Sequence, residues 1–66
     1  MATAGLDLDI RRIRMRLERE GWVAREGGDH SVFKPPARPG RVVVPRGRGD
    51  LAPGTARNIA RDAGWL

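Results

Sequence analysis

The single histidine of this chain lies among cationic residues, in a pattern suited to acid–base chemistry on a phosphodiester. His30 follows the glycine-rich segment 27–29 and opens a strand-like stretch. The stretch 22–26 before that segment also has the composition of a strand. If the two stretches pair with Arg25 opposite His30, Lys34 falls on the same face farther along. An imidazole that exchanges protons near neutral pH beside positive charge is what phosphodiester cleavage requires.

A lone histidine at the end of a strand also has a commoner explanation. Most such residues are surface or hydrogen-bonded side chains, and spacing alone favours that interpretation for His30. Two further cations, Arg46 and Arg48, lie in a glycine-rich loop after the third strand-like stretch. They are candidates for contacts to the phosphates of a nucleic acid.

The charge balance points to a polyanionic partner. The chain has 66 residues, with 13 Lys and Arg against 8 Asp and Glu, for a net charge of +5. All of the cations except Lys34 are arginine, which binds phosphate through two parallel hydrogen bonds and stacks on bases. Codon usage in a GC-rich genome also raises the arginine content, but it does not explain the net charge. Nucleic acid is the commonest partner of a chain with this charge.

The composition also excludes several classes of protein. No cysteine is present, so disulfides and thiolate metal sites are excluded, which fits a reducing cytoplasm. We expect neither a membrane span nor a signal peptide, because no long apolar run is present. A chain of this length builds one small core. We therefore expect a single domain over residues 1–66, in which residues 1–5 are flexible.

The first third of the chain is predicted to form an amphipathic helix over residues 7–20. Apolar residues recur at helical spacing, at Leu6, Ile10, Ile13 and Leu17. Asp7 is the expected N-cap, and Gly21 is expected to end the helix. Leu8 and Met15 fall on the opposite side of the helix. They are either isolated exposed side chains or a contact patch for a partner protein.

Three strands and a second helix follow. The strands are predicted over residues 22–26, 30–34 and 41–44. The second helix is expected to begin after an N-cap at Thr55 and to end at Gly64. Its buried face consists of small and branched side chains, at Ala56, Ile59, Ala60 and Ala63. Two helices on one side of a three-stranded antiparallel sheet form an α+β fold.

The expected pairing of the first two strands separates their side chains by polarity. Arg25 opposite His30 places Trp22 against Phe33 on one face, which is the face that the helices cover. Arg25, His30 and Lys34 then share the other face, which stays open.

Four segments, taken in order, resemble the HicA family of small toxins from bacterial and archaeal toxin–antitoxin pairs. The segments are 17–22 (LEREGW), 28–35 (GDHSVFKP), 42–45 (VVVP) and 50–64 (DLAPGT through DAG). The joint order and spacing of the segments make the resemblance specific. It implies a fold like that of double-stranded-RNA-binding domains, an endoribonuclease that cleaves mRNA, and neutralisation by a HicB-like antitoxin that covers the active face.

The resemblance also implies a catalytic residue. The family's catalytic histidine follows a Gly-x-His pattern at the start of the second strand, and Gly28, Asp29 and His30 match that pattern. The family often has a lysine before the glycine, a serine within the pattern and a second histidine after it. Gly27, Asp29 and Ser31 occupy those positions here. These departures bear on the level of activity and not on the family.

The implied reaction is simple because RNA supplies its own nucleophile, the 2′-hydroxyl. His30 is the predicted general acid or base, and Arg25 and Lys34 are predicted to stabilise charge on the phosphate. Arg46 and Arg48 are the predicted RNA contacts on the loop. No metal or other cofactor is expected. The sequence offers no evident residue for the second proton transfer, so we expect a slow enzyme.

Two other functions stay open from the sequence alone. One is a non-catalytic module that binds structured RNA, and the other is an interaction protein whose only partner is another polypeptide. A homodimer and a hetero-oligomer with the antitoxin are both compatible with the sequence.

Overall fold

A helix, three strands and a second helix follow one another in the computed structural model, which describes residues 6–37 and 39–66. The helices are α1 (Ile10–Arg19) and α2 (Pro53–Asp62), and the strands are β1 (Val23–Gly27), β2 (His30–Lys34) and β3 (Val42–Pro45). The N-terminal segment 1–5, expected to be flexible, and Arg38 of the proline-rich loop lie outside the described residues. The α+β fold predicted from the sequence is confirmed.

Helix α1 begins at Ile10, and its N-cap is Asp9 rather than the predicted Asp7. The Asp9 carboxylate accepts a hydrogen bond from the Arg11 amide at 3.2 Å, which satisfies one free N–H group of the first turn. A bridge to Asp50 holds Asp9 in an extended conformation, so the helix cannot begin before it. The Asp7 carboxylate instead accepts a hydrogen bond from the Asp9 amide at 3.0 Å.

Helix α2 begins at Pro53, before the predicted N-cap Thr55. Ala52 occupies the N-cap position, and no side chain among the described residues caps the helix. Proline at the first helical position has a φ already fixed near the helical value, and the N–H group that it lacks would have had no partner within the helix, so this end forms without Thr55. Gly21 and Gly64, at φ +94° and +82°, end the two helices as predicted.

The strands form one antiparallel sheet in the order β1-β2-β3, but the predicted register of the first pair is wrong by two residues. Arg25 lies opposite Val32 and not opposite His30. His30 pairs with Gly27, which leaves only residues 28–29 in the turn.

The conformation of Gly28 accounts for the shorter turn. Its φ of +52° fits the first central position of a two-residue type II′ turn, where glycine is preferred. Because side chains alternate with a period of two, a shift of two residues keeps every side chain on its predicted face. Arg25, His30 and Lys34 therefore share one face of the sheet, as predicted.

The core lies between the helices and the inner face of the sheet. Its buried side chains are Ile10, Ile13, Leu17, Trp22, Phe33, Val42, Val44, Leu51, Ala56, Ile59 and Ala63. Leu8 and Trp65 are partly buried and pack against this cluster. Met15 is 59% exposed, so Leu8 and Met15 do not form one exposed patch. Neither helix in the described part of the chain has the length and apolar character needed to cross a bilayer.

Candidate active site

The outward side chains of the sheet form three rows, which together we call the open face. The rows are Gly27, His30 and Pro45 at the hairpin end, Arg25, Val32 and Val43 in the middle, and Val23 and Lys34 at the far end. Val23 is 68% exposed and Val43 is 41% exposed. The described helices and loops therefore leave this face accessible to a partner or substrate.

His30 is the first residue of β2, and its side chain is exposed. Its neighbours in the row are small, because Gly27 has no side chain and Pro45 has only a compact ring. The imidazole is therefore accessible past both of these neighbours.

Arg25 lies diagonally across from His30 on the open face, because its cross-strand partner Val32 is two residues from His30. Diagonal neighbours on one face are roughly 7–8 Å apart, within reach of a long side chain. Lys34 is diagonal to Arg25 in the other direction, and its Cα lies about 13 Å from that of His30 along the strand. The structure thus brings Arg25 within reach of His30 and places Lys34 one row farther away.

The cations of the open face have no acidic contact in the part of the chain that the structure describes. The ion pairs there join Asp7 and Asp9 to Arg12, Glu20 to Arg16, and Glu26 to Arg14 and Arg46. Arg25 and Lys34 are exposed and belong to none of these pairs. Their charge is therefore available to an anionic ligand.

The two loop arginines, Arg46 and Arg48, were both predicted to contact RNA, but they differ in the structure. Arg48 is exposed and belongs to no ion pair of the described residues. Arg46, in contrast, donates from Nη1 to the Gly28 carbonyl at 3.1 Å, and its Nε lies 3.4 Å from Oε1 of Glu26. Of these two loop arginines, only Arg48 presents a guanidinium that has no partner among the described residues.

Four polar side chains form a network behind the open face that sequence reasoning missed. Glu26 and Ser31 pair across β1 and β2, and the Ser31 hydroxyl donates to Glu26 Oε1 at 2.6 Å. Arg14 of α1 donates to the Ser31 hydroxyl at 2.7 Å and to Glu26 at 3.2 Å, with its guanidinium 5.4 Å from the centre of the Phe33 ring. We call Arg14, Glu26, Ser31 and Arg46 the inner network.

The inner network lowers the pKa of Glu26. The hydrogen bond from Ser31 lowers the pKa of Glu26 most, and Arg14 and Arg46 lower it further. An acid held in this way is poorly suited to be the second proton-transfer group. Neither Glu26 nor any other carboxylate of the described residues belongs to a group of three that could hold a metal ion.

One sequence signal could have revealed the inner network. Ser31 lies two residues before the buried Phe33 on the same strand, so its side chain must also face inward. A buried hydroxyl there needs a hydrogen-bond partner. The predicted register placed Ala24 opposite Ser31, whereas the true register places Glu26 there. Because of the error in register, the sequence did not identify Glu26 as the partner of Ser31.

The fold and the exposed histidine define a small α+β protein with a cationic sheet face. A comparison with protein families matches residues 10–65 to the HicA toxin family of bacterial toxin–antitoxin systems. The match includes both helices and all three strands, so the chain belongs to this family. No curated protein matches the chain at a significant level.

Proposed function

We propose that the chain is an endoribonuclease toxin that cleaves mRNA, with His30 as a general acid or base. The observation that supports this most is the exposed imidazole of His30 on a face where Arg25 lies within diagonal reach and Lys34 follows. Membership of the toxin family supports the toxin role. Gly28 and Asp29, which precede the histidine in the family's pattern, form the turn that leads into β2.

The side chains of this protein can stabilise the charge on the reacting phosphate and carry out one of the two proton transfers. The 2′-oxygen of RNA attacks the adjacent phosphorus, the bond from phosphorus to the 5′-oxygen breaks, and a cyclic phosphate and a 5′-hydroxyl result. His30 takes the proton of the nucleophile or gives one to the leaving oxygen, which contributes roughly a hundred- to ten-thousandfold in rate. Arg25 stabilises the phosphorane, and Lys34 and Arg48 bind neighbouring phosphates. Water completes the second proton transfer, which makes the enzyme slow.

We also propose that a HicB-like antitoxin neutralises the toxin by covering the open face. Val23 and Val43 offer exposed apolar surface beside Arg25 and Lys34. This combination suits a partner with apolar and acidic side chains. The two proteins would form a hetero-oligomer, and a homodimer of the toxin is the alternative assembly.

Cleavage of a single-stranded RNA by the purified chain tests the assignment. His30→Ala should lower kcat at least about 100-fold, because it removes a general acid–base group. The far-UV circular dichroism spectrum should not change, because the side chain is exposed. Arg61→Ala, which removes an exposed cation of α2, is the matched control and should cut at the wild-type rate. EDTA should not reduce cleavage, and a 2′-deoxy sugar at the scissile position should block it.

Two outcomes would contradict the proposal. Equal cutting of the 2′-deoxy substrate would exclude attack by the 2′-hydroxyl, and full activity of His30→Ala would exclude the site. RNA binding without cleavage, unaffected by His30→Ala, would favour the alternative of a non-catalytic RNA-binding module, which the double-stranded-RNA-binding-domain-like fold suggests.

A further inference from the structure

Arg46 contacts the β1–β2 hairpin at three points, two in its turn and one on β1, although it belongs to the loop that follows β3. Its amide donates to the Asp29 carbonyl at 2.9 Å. Its Nη1 donates to the Gly28 carbonyl at 3.1 Å, and its Nε lies 3.4 Å from Oε1 of Glu26. Two consecutive carbonyls of the turn are therefore held by one residue.

These contacts bear directly on the backbone of His30. The Asp29 carbonyl belongs to the peptide unit that joins Asp29 to His30, so its orientation sets the direction in which the His30 Cα–Cβ bond leaves the sheet. Gly28, at φ +52°, is the most conformationally permissive residue of the turn, and its carbonyl is the one that the Arg46 side chain binds. Without that bond the turn has more freedom beside the histidine.

The Glu26 contact joins the turn to the rest of the fold. Glu26 also accepts the Ser31 hydroxyl at 2.6 Å and pairs with Arg14 of α1 at 3.2 Å. Through Glu26, the Arg46 side chain is therefore tied to β1, β2 and α1. A guanidinium is suited to this task because its planar, directional donors bind two acceptors at once.

We propose that Arg46 is a positioning residue, which acts through the β1–β2 turn to orient the imidazole of His30. The inference rests on the proposed function of His30 as the acid–base group. It replaces the prediction of Arg46 as an RNA contact, because the guanidinium already has two protein acceptors.

Kinetics of Arg46→Ala and Arg48→Ala separate positioning from RNA binding. Loss of orientation should lower the kcat of Arg46→Ala about ten- to a hundredfold and leave KM nearly unchanged. Arg48→Ala, the matched loop control, should raise KM and leave kcat unchanged. Arg46→Lys keeps the charge but lacks the planar fork, so its kcat should also fall. A rise in KM with unchanged kcat for Arg46→Ala, or full recovery by Arg46→Lys, would overturn the inference.

A measurement without RNA keeps the inference separate from the proposed function. The NMR signals of the His30 ring and the exchange rates of the amides of residues 28–30 should change in Arg46→Ala and stay as in the wild type in Arg48→Ala. Unchanged signals and rates in Arg46→Ala would refute the positioning role, whatever the activity. If His30→Ala remains fully active, the proposed function fails, whereas altered His30 signals in Arg46→Ala would still show that Arg46 orients the ring. Should Arg46→Ala fail to fold, Arg46→Lys provides the same comparison.

Discussion

The two cations of the open face differ in their distance from His30, and we expect them to differ in effect. Arg25 is a diagonal neighbour of His30, whereas Lys34 lies one row farther along β2. Arg25→Gln should therefore lower kcat, because charge near the reacting phosphate is lost. Lys34→Gln should raise KM alone and reduce the slope of log affinity against log salt by about 0.7, as loss of one single-strand phosphate contact does.

Steady-state cleavage at several salt concentrations measures both effects. Arg57→Gln, which neutralises an exposed cation of α2, serves as the control and should leave kcat and KM unchanged. If Arg25→Gln changes KM alone, Arg25 is a binding residue and does not stabilise the phosphorane.

Ser31 is the one polar side chain of the described residues that is fully buried, and its hydroxyl both donates and accepts a hydrogen bond. Ser31→Ala removes the acceptor of one Arg14 hydrogen bond and the donor of one Glu26 hydrogen bond. This loss should lower the free energy of unfolding by about 1–2 kcal/mol. Thr55→Ala is a matched control, because Thr55 is exposed and is not the N-cap of α2. Urea denaturation of the two variants measures the difference. Equal stability of the two would mean that the hydrogen bonds of the Ser31 hydroxyl add nothing to the stability.

Local alternation in the sequence was enough to place His30, Arg25 and Lys34 on one face, because a register error of two residues leaves each side chain on the same face. The inner network could not be predicted in the same way. Arg14 and Ser31 are 17 residues apart, and their hydrogen bond depends on how α1 packs on the sheet. The hydrogen bond from Arg46 to the Gly28 carbonyl likewise joins residues that are far apart in the sequence.

At the scale of elements, periodicity predicted the bodies of both helices but not their starts. The start of α1 depends on the distant loop before α2, since the Ile10 amide donates to the Gly49 carbonyl at 3.0 Å and the Leu51 amide donates to the Leu8 carbonyl at 2.7 Å. A choice between Asp7 and Asp9 as N-cap therefore rests on tertiary contacts that the local sequence does not contain.

The β1–β2 turn provides a prediction with a matched pair of glycines. An added Cβ meets nothing within 4 Å at either Gly27 or Gly28, so only backbone conformation separates the two sites. Gly28 is at φ +52°, where an alanine costs about 1–2 kcal/mol, while Gly27 is not at positive φ. Gly28→Ala should thus lower the melting temperature more than Gly27→Ala does in thermal denaturation. The opposite order would mean that the type II′ turn is wrong.

At the scale of the whole molecule, stability should depend on pH through three carboxyl groups. Hydrogen bonds from the Asp9 amide, the Trp65 indole and the Ser31 hydroxyl are the largest causes that lower the pKa of Asp7, Glu20 and Glu26, respectively. The folded state then binds fewer protons than the unfolded chain near these pKa values, so stability rises with pH there. The contribution is fully present above the ordinary values of 3.8 and 4.5 and is lost as the pH falls through the lower folded values.

Thermal denaturation between neutral and acidic pH tests this dependence. The melting temperature should stay nearly constant down to about pH 5 and fall below about pH 4. Glu26→Gln should weaken the dependence, whereas Glu18→Gln, which alters an exposed side chain outside the ion pairs of the described residues, should not. A melting temperature that rises on acidification would contradict the assignment.

The small neighbours of His30 have a consequence for control of the protein. Gly27 and Pro45 leave the imidazole unshielded on both sides, so no lid or gate from the part of the chain that the structure describes covers the proposed catalytic centre. Such a centre would be active whenever no partner protein covers it. If the antitoxin covers the open face as proposed, the amount of antitoxin in the cell would set how much of the toxin is active.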